Sequence, residues 1–236
     1  MTEAPERPVT LITGARKGIG RFLLDHYRAQ GHIIVGCSRS PFPDSVPDYE
    51  HFCLDVCDES AVKQMIDTVR RKYGRLDHLI NNAGIASMSH FLLTPTETAM
   101  RIYQTNVIGT FLVSRESAKL MKKRKFGRIV NFSSAAAPLR LPGEAVYASS
   151  KAAIVSLTEI LARELGAFGI TVNVVGPTPV HSDLIAAMPQ DKVQSVIERQ
   201  AIPRPGTHAD IANVVDFFLR PESGFVTGQV VYLGGF

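Results

Sequence analysis

Short apolar runs alternate along the chain with segments whose apolar positions recur every three or four residues. The runs are VTLIT at 9–13, HIIVGC at 32–37, HFCLDV at 51–56, LDHLINNAG at 76–84, GRIVNFSS at 127–134, ITVNVVGP at 170–177 and QVVYLGG at 229–235. Each has the length of a buried strand. In the segment 61–74, Val62, Met65, Ile66 and Val69 share one helical face and Gly74 follows as a stop. Strands separated by helices predict an α/β chain: one doubly wound sheet of about seven parallel strands with helices on both faces. No repeat or low-complexity linker breaks the order, so residues 9–236 are expected to form a single domain after a short tail at 1–8.

Composition narrows the ligands. The 236 residues are 45% apolar and 20% charged, with a net charge of +4 and a pI near 9.0. Such a mild excess favours anionic ligands without calling for nucleic acid. The basic residues are dispersed except for Lys122-Lys123-Arg124-Lys125, a run that reads either as a solvated helix end or as a docking patch. Cys37, Cys53 and Cys57 are odd in number and lack a C-x-x-C spacing, which argues against a disulfide framework, a zinc site or any other metal site. The opening MTEAPERP lacks the pattern of a secretory leader. No apolar stretch approaches the ~18–20 residues of a membrane span. A cytoplasmic protein without membrane contact is the expectation.

In an open parallel sheet, ligands collect outside the carboxyl ends of the strands. The first strand runs into 13-TGARKGIG-20, where Gly14, Gly18 and Gly20, with Arg16, Lys17 and Ile19 among them, lead into FLLDHYRAQG. Glycines allow a tight turn, and the free N–H groups of the following helix suit a pyrophosphate. A dinucleotide with a free ribose hydroxyl usually meets an acid some twenty residues on, but none lies between Gly31 and Pro43. Ser38, Arg39 and Lys17 would instead surround a 2′-phosphate, which points to NADP(H). Asp55, beside Val56, either accepts a hydrogen bond from the adenine amine or caps the helix that begins near Asp58. Asn82, Ala83 and Gly84 close the fourth strand with small residues beside a flat cofactor. Tyr147 and Lys151 stand four apart on one helix face, where an ammonium would lower the pKa of a phenol.

Taken in order, TGARKGIG, NNAG, Asn106 in TNVIG, Ser134 and 147-YASSK-151 resemble the short-chain dehydrogenase/reductase family from Val9 to Gly235, and most of all its 3-oxoacyl-carrier-protein reductases and related ketoreductases. The resemblance implies a single-domain Rossmann-type fold and NADPH-dependent reduction of a ketone, β-ketoacyl or other, to a secondary alcohol. Tyr147 would be the general acid and Lys151 would lower its pKa and hold the nicotinamide ribose. Ser134, with Ser133 as its competitor, would hydrogen-bond the substrate carbonyl, and Asn106 would anchor a water that relays protons to Lys151. Pro177, Thr178, Val180 and Ser182 would flank the nicotinamide, with Thr178 standing where the family commonly has glycine. Residues 178–200 would form a substrate lid. Met88, Phe91, Leu139, Leu141 and Pro142 would line an apolar chamber. Helices at about 99–122 and 147–167 would pair copies into a homodimer or homotetramer. An acyl carrier protein could dock on Lys122–Lys125, although carrier-dependent relatives often add a basic residue where this chain has Phe168. The rival readings are an NADP-dependent alcohol dehydrogenase working oxidatively and a non-catalytic NADP-binding regulatory subunit.

Overall fold

The computed structural model describes residues 7–43, 46–180 and 190–236. Seven strands form one sheet: β1 Val9–Thr13, β2 Ile33–Ser38, β3 Tyr49–Cys53, β4 His78–Asn81, β5 Gly127–Phe132, β6 Ile170–Gly176 and β7 Val230–Tyr232. Their order is β3-β2-β1-β4-β5-β6-β7, and every pairing is parallel. The order reverses between β1 and β4, and a crevice opens there at the carboxyl ends. The single-domain, doubly wound expectation holds.

Alternation along β1 splits the core between two faces. Leu11 packs with Val62, Met65 and Val69 of α2 (Glu59–Tyr73) and with Val113 and Leu120 of α4 (Gly109–Met121). Its neighbour Ile12 packs with Leu23, Leu24 and Tyr27 of α1 (Gly18–Ala29) and with Ile211, Val215 and Phe218 of the helix His208–Leu219. Each such large apolar side chain, once fully buried, contributes about 1.5–3 kcal/mol. Gly74 ends α2 in a left-handed conformation with φ 68°, and Asp58 caps its start by accepting from the Ala61 N–H at 3.0 Å.

Three expectations shift. The third strand starts at Tyr49 and stops at Cys53, because as the edge strand it pairs only with β2, to the register Ser38–Cys53. Asp55 then turns back on the chain, its Oδ1 accepting from the Cys57 N–H. The expected helix 99–122 is built in three parts: α3 (Thr96–Tyr103), a π-helical turn (Gln104–Ile108) and α4. The third concerns apolar length. The stretch Ala145–Phe168, most of it α6 (Ala145–Leu165), is long and apolar enough by composition to cross a membrane, with a mean hydropathy of 1.2 over its best window. Composition alone misleads here, since α6 lies against β5 and β6 and buries Lys151, Ile154, Thr158 and Ala162. Short α5 (Ala136–Leu139) precedes it. Two more helices, α7 (Gln190–Glu198) and α8 (His208–Leu219), follow β6.

Candidate active site

A cleft of about 940 Å³ runs across the carboxyl ends of the strands, lined at one end by the turn after β1 and at the other by the β5–α6 wall. Gly14 adopts φ 69°, and a Cβ there would come within 2.9 Å of Asn82 Nδ2; a Cβ on Gly20 would overlap the Gly14 carbonyl oxygen. The turn is therefore closed tightly beneath α1. Lys17 occupies the N-cap of α1 without any side-chain cap, so the first N–H groups of the helix face the cleft unclaimed by a cap. Gly14, Arg16, Lys17, Gly18, Ile19, Ser38, Arg39, Asp55 and Val56 all line this end. Gly20 does not; it is a packing glycine. Asp58 is the cap of α2, and Asp55 lies on the cleft wall.

Buried amides tie the strand ends together. Asn82 Nδ2 donates to the Thr13 and Gly14 carbonyls at 3.0 and 3.3 Å, and the Ala83 N–H donates to Thr13 Oγ1. Asn81 Nδ2 donates to Asn131 Oδ1 and Ser114 Oγ, each at 2.8 Å. With these groups paired, Asn82, Ala83 and Gly84 form a fixed floor of the cleft.

At the far wall, α6 carries Tyr147 and Lys151, and the end of β5 supplies two serines. Ser133 Oγ donates to the Lys151 carbonyl at 3.0 Å, which spends it on holding α6. Ser134 lines the cleft with Tyr147; its Oγ accepts from the Ala136 N–H at 3.2 Å, and it favours the ionised form of the phenol, so it is the better placed of the two serines. Lys151 is 6% exposed and donates through Nζ to the Phe132 carbonyl at 2.8 Å. Burial pushes its pKa down to about 8. The same burial raises that of Tyr147, with Glu144 adding to the rise and Ser134 opposing it. The expected lowering of the Tyr147 pKa by Lys151 is thus corrected: Nζ lies 6.0 Å from the centre of the ring, and desolvation outweighs any help from the ammonium.

Asn106 sits in the π-helical turn, an irregularity that often accompanies functional positions. Its Oδ1 accepts from the Ile85 N–H at 2.9 Å, while Nδ2 donates to the Ile85 carbonyl and to Ser150 Oγ. It is 1% exposed and does not itself line the cleft, which it borders through Gly84 and Ile85. A methyl group on Gly84 would lie 3.2 Å from Asn106 Oδ1 and 3.3 Å from Lys151 Nζ.

Pro177, Thr178 and Val180 line the cleft beyond β6, whereas Ser182 lies outside the described residues, as do positions 181–189 of the expected lid. Gly206 accommodates the side chain of Thr178, since a Cβ there would press to 2.7 Å from Thr178 Cγ2. A threonine in place of glycine is thus matched by a glycine across from it. Of the expected chamber residues, Met88 and Leu141 line the cleft. Phe91 is 70% exposed, and neither it nor Leu139 and Pro142 is on the cleft wall. Val196 of α7 joins the wall, as does Glu144. Sequence reasoning passed over Glu144, although a lone acid in 141-LPGEAVY-147 was the available signal.

A glycine turn opening a helix at the switch point, faced by a buried lysine and a serine–tyrosine pair, defines a dinucleotide-binding oxidoreductase. The family described as enoyl-(acyl carrier protein) reductase matches residues 14–235, and the chain belongs to the short-chain dehydrogenase/reductase family, acting on CH–OH and C=O groups. It is 30% identical to the 3-oxoacyl-(acyl-carrier-protein) reductase FabG of Escherichia coli, covering 98% of this chain and 97% of that protein. It is 31% identical to the reductase of the same name from Thermotoga maritima, with the same coverage. Among solved structures it resembles ElxO with NADP bound, at a TM-score of 0.88 and 29% identity over 96% of this chain and 97% of the other. It also resembles the aldohexose dehydrogenase AldT of Thermoplasma acidophilum in ligand-free form, at a TM-score of 0.88 and 26% identity over 98% and 94%. Among the described residues, no cluster of His, Cys, Asp or Glu could hold a metal ion.

Proposed function

We propose that the protein reduces a ketone, β-ketoacyl or other, to a secondary alcohol, with NADP(H) as cofactor and Tyr147 as proton donor. The observation that carries this reading is the placement of Ser134 and Tyr147 together on the cleft wall with Lys151 buried beside them. The residues fit the cofactor. A tight glycine cradle meets an uncapped helix start where a pyrophosphate would sit, and Arg16, Lys17, Ser38 and Arg39 offer cations and a hydroxyl to a 2′-phosphate. Asp55 and Val56 would border the adenine; Asn82, Ala83, Gly84, Pro177, Thr178 and Val180 would border the nicotinamide half. When bound, the cofactor supplies the hydride.

Ser134 orients the substrate carbonyl beside the phenol, and its hydroxyl donates to the oxygen as negative charge grows there. Tyr147 keeps its proton near neutrality because burial raises its pKa, and gives it up to that oxygen. Lys151, fixed by the Phe132 carbonyl, has two N–H groups left for the ribose and for proton supply. Asn106 Oδ1 and Lys151 Nζ both face the same side of Gly84, 3.2 and 3.3 Å from where a Cβ would stand, which supports a relay from Asn106. The oxidative direction remains the second reading, favoured by the likeness to the aldohexose dehydrogenase.

The same proposal pairs copies through α3, α4 and α6, where Met100, Tyr103, Ile108, Phe111 and Ile160 leave large apolar side chains exposed. A cytoplasmic location belongs to it too. An acyl carrier protein could meet the exposed run Lys122–Lys125; Lys122 lies over the ring of Phe168 at 4.1 Å, so a cation does stand at the position where Phe168 supplies none. Assaying β-ketoacyl thioesters, simple ketones and quinones with NADPH, read by loss of its absorbance, tests the reading. Absence of turnover on every member would remove it.

A further inference from the structure

The mechanism above leaves Glu144 unused. This residue lines the cleft yet is only 6% exposed, and its Oε2 has no hydrogen-bond partner among the described residues. Leaving such a buried oxygen unpaired is unfavourable. The backbone explains none of it: Glu144 holds the N-cap of α6, but its side chain does not cap the helix. Among the described residues no cation answers the carboxyl either, since burial alone displaces its pKa, upwards. The side chain stands three residues before Tyr147, one turn away on the same face, and close enough that its charge opposes ionisation of the phenol. Next to it along the chain, Leu141 accepts from the Glu144 N–H through its carbonyl and Met88 lies beside Gly143, and both apolar side chains line the cleft. A polar group is therefore held at a cost, next to the reacting position, in surroundings that supply no partner.

We infer that Glu144 is a specificity-determining residue that takes a hydroxyl on the carbon next to the reacting carbonyl, so that the substrates are α-hydroxy ketones and the products vicinal diols. This rests on the carbonyl-reduction reading. A hydroxyl both donates and accepts, and so satisfies the carboxyl whether or not it is protonated. A β-ketoacyl thioester presents only acceptors at that distance and would leave an ionised Oε2 unpaired. An ammonium group would be brought towards Lys151 on the same wall, at the cost of like-charge repulsion.

The test compares α-hydroxyacetophenone with acetophenone as substrates for the full chain with NADPH. The wild type should favour the hydroxy ketone in kcat/KM by about tenfold or more, mainly through KM. Glu144→Leu should bring the two within about twofold, and Glu144→Gln, which keeps shape and hydrogen bonding, should hold part of the preference. A readout without turnover uses the products: phenylethanediol should raise the thermal midpoint of the NADP-loaded protein more than phenylethanol does, and Glu144→Leu should abolish the difference. Equal handling of the two ketones by the wild type, or a preference that survives in Glu144→Leu, would overturn the assignment. So would an equal fall in kcat on both ketones with a displaced pH profile, because Glu144 would then act on Tyr147 and not on substrate. If neither ketone is turned over, the carbonyl-reduction reading stands or falls on the wider panel of thioesters, ketones and quinones, and the diol comparison still decides the role of Glu144. Should Glu144→Leu fail to fold, the wild-type ratio and Glu144→Gln decide it.

Discussion

At the α1 end of the cleft Arg16, Lys17 and Arg39 are exposed, whereas at the β5–α6 end Lys151, Glu144 and the Ser134–Tyr147 pair are drawn into the protein. Cations of the first kind stay hydrated, so they suit a permanent anion such as a phosphate and act through attraction that salt screens. Groups of the second kind lose water, and burial moves their pKa values in the direction that disfavours charge: Lys151 comes down to about 8, while Tyr147 and Glu144 go up. One fold thus contains a binding end built on exposed charge and a reacting end built on desolvation. The sheet keeps them in a fixed relation because both rest on adjoining parallel strand ends.

The largest separation of the two ends should come from Tyr147→Phe. Turnover is expected to fall by about 10²–10⁴-fold, while NADPH titrated by fluorescence binds as before. A variant that retains full turnover would remove Tyr147 from the chemistry. Arg39→Asp works from the other end. The ratio of NADPH to NADH affinity should drop by about tenfold to a hundredfold, as charge-assisted contacts to the 2′-phosphate are replaced by repulsion, with kcat nearly unchanged at saturation. Raising the salt should shrink the wild-type preference; equal wild-type affinities would redirect the assignment to Ser38 and a ribose hydroxyl.

A smaller effect is expected from Gly84→Ala, which sets a methyl group 3.2 Å from Asn106 Oδ1 and 3.3 Å from Lys151 Nζ. About a tenfold loss in kcat with little change in NADPH affinity would place the proton supply there. Equal losses in both would mean the methyl group only crowds the cofactor. Smallest is a stability effect of Lys151. Its folded pKa of about 8 lies below the unfolded value of 10.5, so between these pH values the unfolded chain binds more protons and stability rises with pH through this group. The slope is at most about 1.4 kcal/mol per pH unit. In denaturant titrations Lys151→Met should lose that rise relative to the wild type, and parallel pH profiles would show that Lys151 is not desolvated.

The difference between the two ends also governs what could be read from the chain. The glycine turn, the missing acid after β2 and the cations near it are local in sequence, and the structure brings all of them except Gly20 to the cleft. Tyr147 and Lys151 were legible because a helix fixes the relation of residues four apart. The choice between Ser133 and Ser134 was not, since it depends on which side chain meets the backbone of α6. Asp55 was ambiguous for the same kind of reason; the structure gives the cap of α2 to Asp58. The apolar stretch Ala145–Phe168 went unflagged because its interspersed charges conceal how long it is.

The sequence by itself determined the alternation of strands and helices, the two-faced core and the residues of the glycine turn, because periodicity and backbone freedom act within a few residues. Only the tertiary structure decided the protonation chemistry. The pKa of Lys151 falls and that of Tyr147 rises because distant strands and helices exclude water from both, and the unpaired oxygen of Glu144 exists only because α6 packs where it does. Desolvation is a property of everything surrounding a group, and no spacing along one chain records it.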